Sequence, residues 1–151
     1  MRRSLTEPFA APAWPEGVAV RTFAPDDAAG VHGLLEQAYA RGGGSLAAFD
    51  EWLPAMTGDS EFDSDLWFVA ESGTGIAGVA LCWTSAFVKD IAVAAAWRRR
   101  GLGTALLLHC FAVFAARGAP VLDLKVDSDN PSQAFLLYQQ LGFEVIERIP
   151  P

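Results

Sequence analysis

The sequence has few of the residues that build disulfide scaffolds and metal centres. Its 151 residues include two cysteines, Cys82 and Cys110, and two histidines, His32 and His109. The cysteines fall in two separate apolar segments, and the histidines show no ligand spacing. We therefore expect two buried thiols rather than a disulfide, and we expect no bound metal.

Positive charge is also scarce, and it is concentrated at one place. The formal net charge is −7, and the only lysines are Lys89 and Lys125. This balance argues against a nucleic-acid partner, which usually requires a surface of the opposite sign. Three of the arginines stand together at residues 98–100, and this isolated positive cluster indicates a small anionic ligand.

Long hydrophobic runs are absent, since no apolar stretch reaches the roughly 20 residues needed to cross a bilayer. The N-terminal segment has two early arginines but no apolar stretch after them, and three prolines interrupt it. It is therefore interpreted as an irregular arm over residues 1–17, and not as a signal peptide. We expect a cytoplasmic protein with no membrane partner and with one domain over residues 18–151.

The order of apolar patterns predicts a mixed α/β domain. Strands at 87–93 and 121–126 flank a long helix at 102–117, and such a crossover makes the two strands parallel neighbours. That helix is apolar nearly all round, which indicates burial on more than one side. The other predicted strands cover residues 18–23, 66–71, 76–84 and 143–149, and the other predicted helices cover residues 25–41, 45–57 and 131–141.

The turn between strand 87–93 and helix 102–117 has the layout of a phosphate-binding site. Gly101 and Gly103 remove side chains that would block the approach of a diphosphate to the backbone N–H groups. The N-terminus of the helix adds the positive end of its dipole, and Thr104 adds a hydroxyl. The turn alone therefore predicts a phosphate ligand.

Three motifs resemble signatures of the GNAT superfamily of N-acyltransferases. Residues 98–103 (RRRGLG) are similar to its acyl-CoA motif, Q/R-x-x-G-x-G/A. Residues 136–145 (LLYQQLGFEV) resemble its helix that carries a tyrosine and ends in Gly-Phe, and residues 126–134 (VDSDNPSQA) resemble the loop before that helix. The motifs occur in the family's order and spacing, and the resemblance extends over residues 18–149.

The resemblance implies the GNAT fold, a mostly antiparallel sheet with one splayed parallel pair flanked by helices, and acetyl-CoA as the cosubstrate. The backbone of strand 87–93 would pair with the pantetheine arm, and an N–H group near Val93 would bind the thioester oxygen. Tyr138 would protonate the leaving thiolate. The residues implied to bind acetyl-CoA are Ile91, Ala92, Val93, Arg98, Arg99, Arg100, Gly101, Leu102, Gly103, Thr104, Asn130 and Tyr138.

The general base is the least defined part of the expected site. Some members of the family carry a glutamate where this chain has Phe87, so that route is absent here. Asp90, nearby on the same strand, is the candidate base, acting directly or through water, and its alternative role is that of a surface carboxylate. Glu71, Asp123 and Asp127 are lesser candidates.

The reaction implied by the resemblance is direct transfer of an acetyl group to a primary amine of a small molecule or a peptide. The acceptor would enter between the first two helices and the strands at 76–84 and 87–93, beside an acidic loop at 58–65. Two alternatives stay open: a non-catalytic acyl-CoA-binding module, and an acetyltransferase that acts on protein lysines or N-termini. The residues expected to line the acceptor pocket are Trp52, Trp67, Trp83 and Phe87.

One strand of the family's sheet has no counterpart in the sequence. The family usually inserts a seventh strand beside its fifth, and no residues follow Pro151 to form it. We expect the last strand, 143–149, to pair directly with 121–126, or the place to be filled by the N-terminal arm or by a second subunit of a homodimer.

Overall fold

The computed structural model describes residues 1–41, 45–126 and 133–146, and these residues form six strands and four helices. Short 3-10 turns precede α1, β3 and α3. The strands are β1 (Arg2–Ser4), β2 (Ala19–Thr22), β3 (Trp67–Ser72), β4 (Gly75–Trp83), β5 (Phe87–Val93) and β6 (Val121–Leu124). The helices are α1 (Ala28–Tyr39), α2 (Phe49–Thr57), α3 (Leu102–Ala116) and α4 (Gln133–Gln140).

The six strands form one sheet in the order β1-β6-β5-β4-β3-β2. Every neighbouring pair is antiparallel except β5 and β6, which are parallel and are joined through α3. The mixed α/β class and the mostly antiparallel sheet with one parallel pair are therefore confirmed.

Each face of the sheet carries its own hydrophobic core because side chains alternate along the strands. On β3, Trp67 and Val69 pack in the cluster that contains α1 and α2, whereas Phe68 and Ala70 pack in the cluster that contains α3. The sheet therefore separates α1 and α2 on one side from α3 on the other.

The two cysteines meet in the core beneath α3. Cys82 on β4 and Cys110 on α3 are buried and free, and their Sγ atoms lie 3.7 Å apart. Burial raises the pKa of the Cys82 thiol, so the thiol stays protonated. The expectation of two buried thiols is confirmed for the described structure.

The N-terminal segment crosses the outer side of α3. The ring of Phe9 lies edge-on to Phe111, with centroids 5.6 Å apart, and Trp14 packs against His109 at 5.8 Å. The inner side of the helix packs on the sheet. Cover on both sides explains why the sequence of α3 is apolar nearly all round.

Residues 2–4 correct the prediction of an irregular arm. They form β1, which pairs antiparallel with β6 and places Arg2 opposite Asp123. On the other side of β1, the N–H groups of Arg2 and Glu144 each donate to the other's carbonyl oxygen at 2.8 Å. The N-terminal segment therefore lies between β6 and the segment after α4, which was one of the three expected ways to fill this place.

The predicted direct pairing of strand 143–149 with β6 is wrong for Glu144, which pairs with Arg2 instead. Residues 147–151 lie outside the described part of the chain. β1 lies between β6 and the segment that contains Glu144 because each of its two edges can form backbone hydrogen bonds with one of these neighbours.

Arg3 fixes the N-terminal segment to the rest of the domain. The residue is 7% exposed, and its guanidinium donates to the carbonyl oxygens of Leu141 at 2.8 Å, Pro8 at 2.9 Å and Ser4. It also lies over the ring of Phe111, 5.2 Å from the centroid. A buried charge with several acceptors holds its surroundings in one arrangement.

The start of α2 and the end of β6 differ from their predicted positions, and two segments cannot be compared. Helix α2 begins at Phe49 rather than at residue 45, because Ala48 has an extended backbone with ψ of 153°. β6 ends at Leu124 rather than at residue 126. Residues 42–44 and 127–132 lie outside the described part.

None of the helices among the described residues is long and apolar enough to cross a membrane.

Candidate active site

β5 and β6 pair over a short distance and then separate. Only Phe87 and Val88 of β5 have register partners on β6, whereas β5 continues to Val93 and stays paired with β4 on its other edge. Within the described residues, positions 89–93 therefore have no strand partner on the β6 side. This confirms the splayed pair and leaves backbone groups available to an extended ligand.

A cleft of about 380 Å³ opens beside the end of β5 and the first turn of α3. Its walls come from the end of α1, the end of β5, the turn before α3 and α4. None of the described residues that line it is acidic. The predicted acyl-CoA-binding residues that line it are Val93, Arg98, Arg99, Gly101, Leu102, Gly103 and Thr104.

The turn before α3 has the backbone conformation expected of an anion site. Gly101 is the N-cap of α3 and has φ of 81°, and Arg99 also lies in the left-handed region with φ of 63°. Left-handed residues in a turn can direct successive N–H groups toward an anion. A side chain at Gly103 would meet only ordinary contacts with the protein, at 3.8 Å to Leu137 and 3.9 Å to Val93. The protein itself leaves room there.

Positive charge lines the cleft without an internal partner. Arg98 and Arg99 reach it from the turn, and Arg41 reaches it from the end of α1. None of the three forms an ion pair or a side-chain hydrogen bond with any residue that the structure describes. Arg100 instead lies over the ring of Trp97, 4.9 Å from the centroid, and does not line the cleft. A contact from Arg100 to the ligand stays a prediction.

The side chains of the other two strand residues implied to bind acetyl-CoA pack in the cores and do not line the cleft. The side chain of Ala92 is buried with α1 and α2, and that of Ile91 packs against the core below α3. Their backbones belong to the part of β5 that has no partner on the β6 side.

Tyr138 follows directly after Leu137, which lines the cleft. It is 8% exposed, and its ring packs edge-on against Phe143 with centroids 5.8 Å apart. Its hydroxyl has no hydrogen-bond partner among the described residues. Burial raises the pKa of Tyr138, which keeps the phenol protonated and able to donate.

Asp90 is bound to a residue that sequence reasoning did not single out. The Tyr39 hydroxyl, at the last residue of α1, donates to Asp90 Oδ1 at 2.7 Å. Lys89 Nζ lies 3.5 Å from Asp90 Oδ2, and the Asp90 side chain is 9% exposed. Burial first, and then the bond to the Asp90 carboxylate, raises the pKa of Tyr39 to about 12.

We expect the two tyrosines of the native protein to titrate at a higher pH than they do in the unfolded chain. Tyr39 and Tyr138 are the only tyrosines, and both have raised pKa values. Ultraviolet absorbance of tyrosinate, recorded against pH, should therefore rise at a higher pH in buffer than in denaturant. Because the folded pKa of Tyr39 exceeds its unfolded 10.0, its stabilising contribution is complete below pH 10 and is lost toward pH 12. If both tyrosines of the native protein titrated near pH 10, the raised pKa values of Tyr39 and Tyr138 would be contradicted.

The lesser candidates for the base are bound in ion pairs or lie outside the described residues. Glu71 Oε1 accepts from Arg21 at 3.1 Å, and Asp123 accepts from Arg2 at 2.8 Å. Those two carboxylates are therefore engaged in ion pairs, and their role as bases stays a prediction. Asp127, like the expected ligand residue Asn130, falls outside the described part of the chain.

Two of the four aromatic residues expected in the acceptor pocket are core residues. Trp67 is 0% exposed and Trp52 is 4% exposed, and their rings pack on each other with centroids 5.9 Å apart. This placement corrects the expectation that they line a pocket. Trp83 and Phe87 are partly exposed and lie opposite each other at the turn between β4 and β5, so they remain candidates.

The carboxylates of the acidic loop at 58–65 are largely used within the loop and its neighbours. Asp59 accepts from the N–H of Glu61, and Glu61 accepts from the N–H of Ser85. Asp63 pairs with Arg117 at 3.6 Å, just beyond the C-terminus of α3. The cleft lies at the other end of this helix, about 22 Å away along its axis. These three carboxylates therefore have structural partners.

The donor set fits a diphosphate that is carried on an extended arm. Arginines without a side-chain partner among the described residues, a left-handed turn and a helix N-terminus surround one cleft. A strand edge that has no partner in the described part of the sheet leads away from it. Sequence reasoning missed Arg41 and Tyr39. Both come from the end of α1, far from the motifs, and no local pattern marks them.

Comparison with known proteins agrees with this geometry. The family model described as "Acetyltransferase (GNAT) domain" matches residues 63–145, just over half of the chain. The chain belongs to the GNAT acetyltransferase family. A protein of Streptomyces scabiei named mycothiol acetyltransferase is 37% identical over 97% of this chain and 50% of its own length. A protein of the same name from Thermobispora bispora is 34% identical over 95% of this chain.

Solved structures share the fold. A GCN5-related N-acetyltransferase from Sphaerobacter thermophilus superposes with a TM-score of 0.75 at 29% identity, over 93% of this chain and 45% of that one. A possible acetyltransferase from Clostridium difficile gives a TM-score of 0.72 at 15% identity, over 90% and 96% of the two chains. The chain spans about half the length of the curated relatives that it matches.

Proposed function

We propose that the chain is an N-acetyltransferase that moves an acetyl group from acetyl-CoA directly to a primary amine. The observation that supports this most strongly is one cleft where the N-terminus of α3, unpaired arginines and the free edge of β5 meet. Acetyl-CoA brings an activated thioester on a flexible arm that ends in phosphates, and each part of that molecule has a matching region in this arrangement.

The chain's own groups would bind and align the cosubstrate in two ways. N–H groups of residues 101–104, together with Arg98 and Arg99, would hold the phosphates. The backbone of residues 89–93 would align the pantetheine arm, and an N–H group near Val93 would polarise the thioester carbonyl. A contact from Asn130 to the arm stays a prediction.

Two side chains would move the protons of the transfer. As the amine nitrogen bonds to the acetyl carbon and the carbon–sulfur bond breaks, Asp90 accepts the proton of the amine. Tyr138 gives its proton to the departing thiolate. Asp90 is held in place by Tyr39 and lies 3.5 Å from Lys89 Nζ, so it must share its carboxylate with these partners. The Tyr138 hydroxyl has no hydrogen-bond partner among the described residues.

We expect Tyr138→Phe to lower kcat by roughly tenfold or more while the Kd of acetyl-CoA changes by less than about twofold. Phenylalanine keeps the ring that packs on Phe143 and removes only the hydroxyl. The check is steady-state kinetics together with calorimetric binding. Unchanged kcat would rule out Tyr138 as the acid, whereas an equal loss of binding would make its role structural.

The first acceptor class to test comes from the named relatives. Because they are called mycothiol acetyltransferases, we propose an amine related to mycothiol as the leading acceptor. Trp83 and Phe87, partly exposed at the turn between β4 and β5, would contact it. The cytoplasmic location remains a prediction.

A turnover screen tests the proposed function. CoA release from acetyl-CoA is measured with mycothiol-related amines, aminoglycosides, polyamines, amino acids and peptides. Turnover with a small amine supports the proposal. Acetyl-CoA binding without turnover on any amine would indicate a non-catalytic module, and turnover on peptides alone would indicate a protein acetyltransferase.

A further inference from the structure

The described arginines divide into two groups by what their guanidinium groups contact. Those outside the cleft are satisfied: Arg2 pairs with Asp123, Arg21 with Asp27 and Glu71, Arg117 with Asp63, and Arg3 with carbonyl oxygens, while Arg100 lies on Trp97. The only arginines without a partner among the described residues are Arg41, Arg98 and Arg99, and all three line one cleft.

This division is not explained by a shortage of carboxylates. The chain has 18 acidic residues against 11 basic ones, yet no acidic residue of the described part lines the cleft. Three like charges around a concave surface repel one another unless an anion is present. The cleft is therefore built for a multiply charged anion.

Arg41 differs from the other two in the element that carries it. Arg98 and Arg99 belong to the turn before α3, whereas Arg41 follows α1, which packs on the opposite face of the sheet. Its backbone is fixed by a hydrogen bond from its N–H to the carbonyl oxygen of Ala38, at 3.2 Å. The cleft therefore has cationic side chains on elements from both faces of the sheet.

We propose that Arg41 is a binding residue for the diphosphate of CoA, so that α1 and the turn before α3 hold the diphosphate between them. The inference rests on the proposed function, and it deepens it by assigning a phosphate contact outside the motif. The diphosphate is assigned rather than another phosphate because Arg41 lines the same cleft as Gly101, Gly103 and Thr104. A guanidinium from across the cleft adds a full positive charge and two parallel donors, whereas the helix N-terminus supplies single N–H groups.

The test is calorimetric binding with three ligands: acetyl-CoA, its 3′-dephospho form, and acetyl-pantetheine, which lacks phosphates. We expect Arg41→Ala to weaken acetyl-CoA and the dephospho form equally, by about tenfold, and acetyl-pantetheine not at all. Arg41→Lys should recover part of the lost affinity, because lysine restores the positive charge but not the planar two-donor geometry of arginine. Arg117→Ala makes the same charge change at the far end of α3 and should bind like wild type.

Each other outcome overturns the assignment in a recognisable way. If Arg41→Ala binds acetyl-CoA as wild type does, Arg41 is not a ligand although the proposed function stands. If Arg41→Ala binds acetyl-CoA more weakly than wild type but binds the dephospho form equally well, Arg41 contacts the 3′-phosphate instead. If Arg117→Ala loses as much affinity for acetyl-CoA as Arg41→Ala does, the effect comes from the change in net charge. If wild type binds no acetyl-CoA, the proposed function fails, and this inference fails with it.

Discussion

Gly103→Glu should weaken acetyl-CoA binding by at least about a hundredfold and leave the fold intact. The new side chain meets only ordinary contacts, with Leu137 and Val93, and it projects into a cleft lined by unpaired arginines. Its carboxylate would pair with them and repel phosphates. In the first turn of α3, a glutamate in place of glycine favours the helix. The melting temperature should therefore stay the same or rise while binding is lost.

Two matched variants separate charge from bulk in that experiment. Gly103→Gln has nearly the same shape without the charge, and we expect it to lose much less affinity than the glutamate. Gly103→Ala adds one methyl group and should bind within about threefold of wild type. Calorimetry and thermal melting are measured on all three. Wild-type affinity in Gly103→Glu would show that the phosphates bind elsewhere.

Arg3→Ala should lower the free energy of unfolding by about 3 kcal/mol and the melting temperature by about 6–12 °C. The guanidinium is buried and donates to the carbonyl oxygens of Leu141, Pro8 and Ser4. Its loss leaves these acceptors without partners and leaves a void beside Phe111. Urea unfolding gives the free energy directly.

The neighbouring residue supplies the control for that change. Arg2→Ala removes the same charge from the same strand, but Arg2 is exposed and its ion pair with Asp123 is in solvent. We expect Arg2→Ala to unfold nearly as wild type does, because exposed ion pairs contribute little. Equal melting of the two variants would show that Arg3 does not hold the N-terminal segment.

The phosphate side of the site could be predicted from the sequence because its chemistry is contiguous. Residues 98–104 carry the charges, the glycine with positive φ and the start of the helix within one turn. The crossover through α3 predicts that β5 and β6 are parallel, whereas their splay is anticipated only through the resemblance to the GNAT family. Local patterns were sufficient where the whole feature lies in one short segment.

The remaining features depend on contacts between distant parts of the chain. Trp52 and Trp67 were assigned to the acceptor pocket because composition does not say which face of an element an aromatic residue occupies; both belong to the core. Tyr39 and Arg41 reach the site only because α1 packs across β5. The strand Arg2–Ser4 is short and polar, so neither its pattern nor its propensity predicts pairing.

The position of β1 has a consequence for the order in which the domain folds. Arg2 pairs with Asp123 on one side and Glu144 on the other, so these contacts join residues more than a hundred positions apart along the chain. Closing such loops is slow, and the arm at 5–14 can pack only after α3 exists. We expect residues 2–4 to dock late, in hydrogen-exchange pulse labelling, and β6 to keep an open, aggregation-prone edge until they do.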